Sequence, residues 1–205
     1  MQPVFFCVIL CVYTQLTERR EEQKEMYKAL EIALAEVGYM EKATPDQLDD
    51  KLANPGSANF TKYARDIDAT PLFYQGRKQG YPWCDVFVDW CFIQAYGPDR
   101  AEHMLCQPRW SKGAGCSHSM EYYNKKHRLA TAPMVGDQIF FQSGGRVCHT
   151  GLVTAVDETT VYTVEGNTSS EEGVVANGGC VRCKSYPLSS PAIAGYGRPV
   201  YDEEI

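Results

Sequence analysis

The feature that most constrains the fold is a change of hydrophobic period near Pro133. Before it, apolar residues recur at helical spacing; beyond it they alternate in short runs punctuated by Gly, Asn, Asp and Ser. From Glu18 to Val37 the residues are helix formers, with Met26, Leu30, Ala33, Leu34 and Val37 on one stripe and Gly38 as a stop. Thr44-Pro45-Asp46 reads as a cap opening a short helix, with proline at the first helical position. Further helices are expected over Asn59–Asp66, Asp85–Ile93, Arg100–Cys106 and Ser117–Lys126. Strands are expected over Gln138–Gln142, Val147–Val156, Val161–Glu165, Val174–Cys183 and Ile193–Pro199. Helices followed by a run of antiparallel strands make an α+β domain, with the N-terminal helices packed on a C-terminal sheet.

With 205 residues and 44% hydrophobic content, the chain is of one-domain size and can bury a real core. The formal net charge of −6 and the absence of any long basic run argue against nucleic acid or an anionic membrane as partner. Nine cysteines in a chain this long do not make the disulfide framework of a short secreted protein, and mostly reduced thiols are expected. Cys180-Val181-Arg182-Cys183 lies in a strand pattern, where positions three apart face opposite ways, which suits neither a metal nor a disulfide. Residues 1–25 stand apart from the domain at 26–205. The apolar run Pro3–Tyr13 is too short to span a bilayer as a helix and lacks the basic flank and cleavage site of a signal peptide. A signal, an anchor and a natural start at Met26 stay open for it.

The chemistry begins at Cys84, in the run GYPWCDVFVDWC. Pro82 restricts Tyr81 to an extended or turn conformation, and the mostly apolar stretch after Cys84 reads as a buried helix. Cys84 then opens that helix, where unpaired N–H groups and the helix dipole favour a thiolate and can donate to an oxyanion. His149 lies early in an apolar strand and is the natural base for a thiol. Glu165 ends the next strand, across a turn at Asp157-Glu158-Thr159, so the two side chains can meet, and the acid would hold one imidazole nitrogen while the other faces the sulfur. Asn167 could orient the ring as well, or donate to an oxyanion. Any one of these residues alone has a bland reading; the combination points to a cysteine nucleophile with its base and orienting acid. His103, His118 and His127 fall on expected exposed faces. Aromatics flank the expected cleft (Tyr81, Trp83, Trp110, Tyr122 and Tyr123); of these Trp83 reads as core, as does Trp90 outside the set, and Trp110 is the better groove candidate, with Tyr81 as a second.

The pieces PWCDVFVDWC, PMVGDQIFF, HTGLVTAV and VEGNTS, in this order and spacing, resemble the CHAP family of cysteine- and histidine-dependent amidohydrolases/peptidases. The resemblance extends from about Ala29 to Tyr201 and includes the stretches Gly38–Lys42 and Asn59–Arg65, which look like CHAP proteins of Gram-positive bacteria and their phages. It implies a papain-like fold with Cys84 as nucleophile, His149 as base, Glu165 as orienting acid and Asn167 as fourth member. It also implies cleavage of a peptidoglycan amide through a thioester, at the muramoyl–alanine bond or within the peptides. The enzyme would then act at the bacterial cell wall, phage-encoded or secreted. No cofactor is implied. Some phage members carry an acidic calcium loop before the nucleophile; here Tyr74–Gln79 puts Arg77 and Lys78 where carboxylates would be needed, so no calcium site is expected there. No wall-binding module is recognisable, which leaves targeting open to a separate partner. Two alternatives stand beside this reading: a cysteine amidase or peptidase on a non-wall substrate, and a catalytically idle binding module of the same fold.

Overall fold

The computed structural model describes residue 24 and residues 27–111 and 113–201. The apolar run at the N-terminus and the start of the first expected helix lie outside the described residues. Helix α1 covers 27–35, and α2 (Lys62–Asp68), α3 (Cys84–Tyr96), α4 (Pro98–Met104) and α5 (Cys116–Lys125) follow. The strands are β1 (Leu129–Ala130), β2 (Gln138–Ser143), β3 (Arg146–Val156), β4 (Thr160–Thr168), β5 (Cys180–Pro187) and β6 (Ile193–Gly197). They form one antiparallel sheet in the order β1-β6-β2-β3-β4-β5. The architecture is α+β, with the helices N-terminal to the sheet. None of the helices among the described residues is long and apolar enough to cross a membrane.

Alternation along β2 and β3 builds two hydrophobic layers. Phe140 and Leu152 join Val164, Val181 and the helices in one core, while Ile139, Phe141 and Val153 join Tyr186 and Tyr196 in another. Helix α3 is apolar almost all round because it is covered on several sides, by α2, by α5 and by β3 and β4. Tyr63 of α2 packs against Trp83 and Phe87, at ring-centroid distances of 5.4 and 5.1 Å. The β2–β3 hairpin turns through Gly144 and Gly145, both at positive φ (57° and 76°), where side chains are strained. The β3–β4 turn is held by the Asp157 carboxylate, which accepts from the Thr159 and Thr160 N–H groups.

Local differences from the expected elements have identifiable causes. No helix forms after Thr44: its hydroxyl bonds the Asp46 carboxylate and the Asn54 amide instead of capping a backbone N–H, and Gln47 is left-handed at φ 56°. Helix α2 starts at Lys62 because Asn59 is left-handed (φ 58°) and Thr61 is the cap, accepting from Ala64 N–H at 3.1 Å. The strand expected from Val174 begins only at Cys180. The preceding loop folds back on the end of β4: Gly178 N–H donates to the Asn167 carbonyl, and a Cβ at Gly178 would lie 2.3 Å from the Thr168 carbonyl carbon.

Candidate active site

Trp83 is the N-cap of α3, and the first helical hydrogen bond runs from Phe87 N–H to its carbonyl. The N–H groups of Cys84, Asp85 and Val86 therefore precede the helical ladder and gather at the cysteine. The cap is held from outside the helix: the fully buried Trp83 indole N–H donates to Glu41 Oε2 at 2.8 Å. Cys84 itself is buried. Helix α3 comes close to β4 because residue 166 is glycine; a Cβ there would lie 2.6 Å from Phe87 Cβ and 2.9 Å from Trp83 Cζ3.

His149 on β3 is fully buried, and its Nε2 lies 2.9 Å from Glu165 Oε2. The β3–β4 register sets Leu152 opposite Val164, so Glu165 faces Gly151 rather than His149. The acid reaches the ring on the diagonal by passing over Gly151: a Cβ there would sit 2.5 Å from Glu165 Cγ. The carboxylate is fixed from two further sides, by Thr163 Oγ1 at 2.6 Å and by the Tyr186 hydroxyl at 3.2 Å. Phe141 stacks on the imidazole at 5.9 Å between centroids.

With Nε2 committed to Glu165, the remaining ring nitrogen is Nδ1, which is buried without any other hydrogen-bond partner, and Cys84 is the group whose ionisation is linked to the ring. A second thiol stands on the nucleophile: Cys116 Sγ is 3.4 Å from Cys84 Sγ. The contact with Cys116 holds the Cys84 thiol well below its ordinary value; burial opposes this, and His149 adds to the lowering. For His149, burial pulls downward, but Cys84 and Glu165 together outweigh it and raise the imidazole to about 9. The arrangement favours a thiolate beside an imidazolium at neutral pH.

Behind the nucleophile lies a buried polar network. The Asp85 carboxylate accepts from Ser119 Oγ at 2.7 Å and from Gln138 Nε2 at 3.0 Å. The same Gln138 amide lies 3.1 Å from Thr150 Oγ1, which donates to the Ile139 carbonyl. Burial raises Asp85 to about 7, helped by the neighbouring Cys84 and resisted by its hydrogen bonds. The network ties α3, α5, β2 and β3 together beneath Cys84.

The structure thus brings Cys84, His149 and Glu165 together. Asn167 departs from the ring-orienting role open to it: it is buried and left-handed (φ 56°), its Oδ1 accepts from Gly179 N–H at 3.3 Å, and it makes no bond to His149. Its Nδ2 is buried without a partner. Tyr81 and Trp110 are exposed, at 61% and 50%, whereas Trp83 and Tyr123 are fully buried and cannot line a groove. Cys180 is buried and Cys183 exposed on β5. In the loop before Cys84, the Asp68 carboxylate is taken by the backbone N–H groups of Lys78 and Gln79. Among the described residues no cluster of three or more His, Cys, Asp or Glu is arranged to hold a metal ion. Sequence reasoning passed over Gly151, Cys116, Gln138, Thr163 and Tyr186. Of these only Gly151 and Thr163 carried a signal, each two residues along the strand from a candidate and so on its face.

A family model for the CHAP domain matches residues 76–167, a span that contains Cys84, His149, Glu165 and Asn167. No curated protein and no solved structure matches the chain.

Proposed function

From the premise that residues 76–167 belong to the CHAP domain family, whose members are cysteine- and histidine-dependent amidohydrolases or peptidases, we propose that this protein hydrolyses an amide bond of bacterial peptidoglycan. The observation that carries the reading is the buried His149–Glu165 pair at 2.9 Å, with its free ring nitrogen left to the thiol that opens α3. Cys84 Sγ attacks the amide carbonyl, and the oxyanion develops at the α3 N-terminus, where the backbone N–H groups of the first turn precede the helical ladder. His149 gives its proton to the leaving amine, producing a thioester on Cys84. It then takes a proton from water, which attacks the thioester and releases the acid. Glu165 keeps the ring oriented and stabilises the imidazolium. The buried Nδ2 of Asn167 is a further donor near the end of β4.

Wall glycan or peptide would lie along the surface bearing Tyr81 and Trp110, whose rings are exposed to solvent. The site of action is the cell wall. The net charge of −6 gives no electrostatic attraction to an anionic wall, which leaves room for a separate targeting partner. The test is digestion of purified Gram-positive peptidoglycan by the parent and by Cys84→Ala, with products read by mass spectrometry. Thiol-dependent fragments are expected, and their new termini distinguish muramoyl–alanine amidase from peptide endopeptidase. A folded parent that releases nothing from several wall types overturns the wall substrate and leaves a non-wall amide or an idle module of the same fold.

A further inference from the structure

We propose that Cys84 and Cys116 form a peroxide-oxidisable pair that closes reversibly into a disulfide and so switches the nucleophile off. The regulatory consequence rests on Cys84 being the nucleophile proposed above; the chemistry of the pair does not.

The two sulfurs lie 3.4 Å apart, in contact but unbonded, and each cysteine is the first residue of its helix, Cys84 of α3 and Cys116 of α5. A disulfide requires an S–S length of about 2.05 Å, so closure needs a shortening of about 1.4 Å, within the range of side-chain rotation. Both residues are buried, at 4% and 8% exposure, so the sulfur that meets an oxidised Cys84 is the one already against it. The other thiols are less suited. Cys91 lies deeper in α3, in the hydrophobic core, and Cys148 is half-buried on β3 beside His149. A thiolate next to a second thiol is the arrangement in which sulfenic acid is captured before it oxidises further.

The steps balance. The Cys84 thiolate attacks one oxygen of hydrogen peroxide; the O–O bond breaks, and the departing hydroxide takes a proton to leave as water. Cys84 is now a sulfenic acid. The Cys116 sulfur attacks the Cys84 sulfur, the S–O bond breaks, and hydroxide leaves with the Cys116 proton as a second water. The sulfur pair has lost two electrons and one peroxide has become two waters. A dithiol reductant returns both thiols by exchange.

The test uses the full chain, reduced and then exposed to hydrogen peroxide, with non-reducing peptide mapping and iodoacetamide labelling. The expected result is a Cys84–Cys116 cross-linked peptide, loss of Cys84 labelling, and return of labelling with dithiothreitol. In Cys116→Ser, or in Cys116→Ala should the first fail to fold, peroxide is expected to carry Cys84 on to sulfinic and sulfonic acid, and dithiothreitol will not restore labelling. Direct over-oxidation of Cys84 in the parent, a bond to Cys148 instead, or labelling that survives peroxide overturns the pair. A disulfide in a protein whose reduced form digests no peptidoglycan supports the pair and sinks the wall substrate. Digestion that peroxide leaves unchanged does the reverse.

Discussion

Replacing Gly151 by alanine would put a Cβ 2.5 Å from Glu165 Cγ and 2.8 Å from the Val164 carbonyl oxygen, so the acid must leave its position over β3. Misplacement of an orienting group by about an ångström is worth about 100-fold in rate. Gly151→Ala should therefore lose about two orders of magnitude in kcat/KM on the substrate it cleaves, with circular dichroism showing a folded protein. The pH profile of the same parameter reports the ion pair. The competent form carries a Cys84 thiolate and a protonated His149, so activity should fall on the alkaline side near 9, where His149 loses its proton. Its acid limb should lie well below an ordinary thiol, because Cys84 is depressed by Cys116 and His149. Glu165→Gln removes one of the groups that raise His149, so its alkaline limb should move downward; an unmoved limb would show that the acid does not act on the ring. At this scale Cys84, His149 and Glu165 were legible in the sequence, because a helix start and two strand positions can be read locally. Cys116 was not: no local pattern says which of several cysteines will meet a nucleophile 32 residues away.

Helix α3 is the element on which the site depends, and its seat on β4 is made by an absent side chain. Gly166→Ala would force Phe87 and Trp83 outward, costing about 1–3 kcal/mol, seen as a lowered denaturant midpoint. Asp85 gives the helix a pH-dependent stability. Its folded pKa of about 7 is raised above the ordinary 3.8, so the folded state holds the proton more tightly than the unfolded chain. That contribution is fully present below 3.8 and lost as pH rises through about 7. Asp85→Asn has no such proton to lose, so the parent should lose roughly 2–4 kcal/mol relative to the variant across this window, measured by thermal unfolding at stepped pH. Equal slopes for the two proteins would mean that Asp85 stays solvated. Elements were legible where an apolar run is bounded by turn residues, as for α3 after Pro82 and β2 after Gly136-Asp137. They were not where side chains compete for the backbone: Thr44 looked like a cap but its hydroxyl was taken by Asp46 and Asn54.

For the whole molecule, the net charge of −6 sets the sign of long-range forces. If the protein meets an anionic wall unaided, co-sedimentation with purified sacculi should rise with added salt as repulsion is screened, since the Debye length shrinks to about 8 Å at physiological ionic strength. A fall with salt would indicate a basic docking surface. The sequence alone determined the α+β order, the helix that opens at Cys84, and two strands bearing His149 and Glu165, because each follows from local periodicity, turn chemistry or proline and glycine sterics. Only the tertiary structure decided that Glu165 crosses Gly151 to the ring, that Glu41 holds the cap through Trp83, that Gln138 and Ser119 hold Asp85, and that Cys116 touches Cys84. Those contacts join residues on different elements, and their partners are chosen by packing and strand register, which no local pattern in the chain encodes.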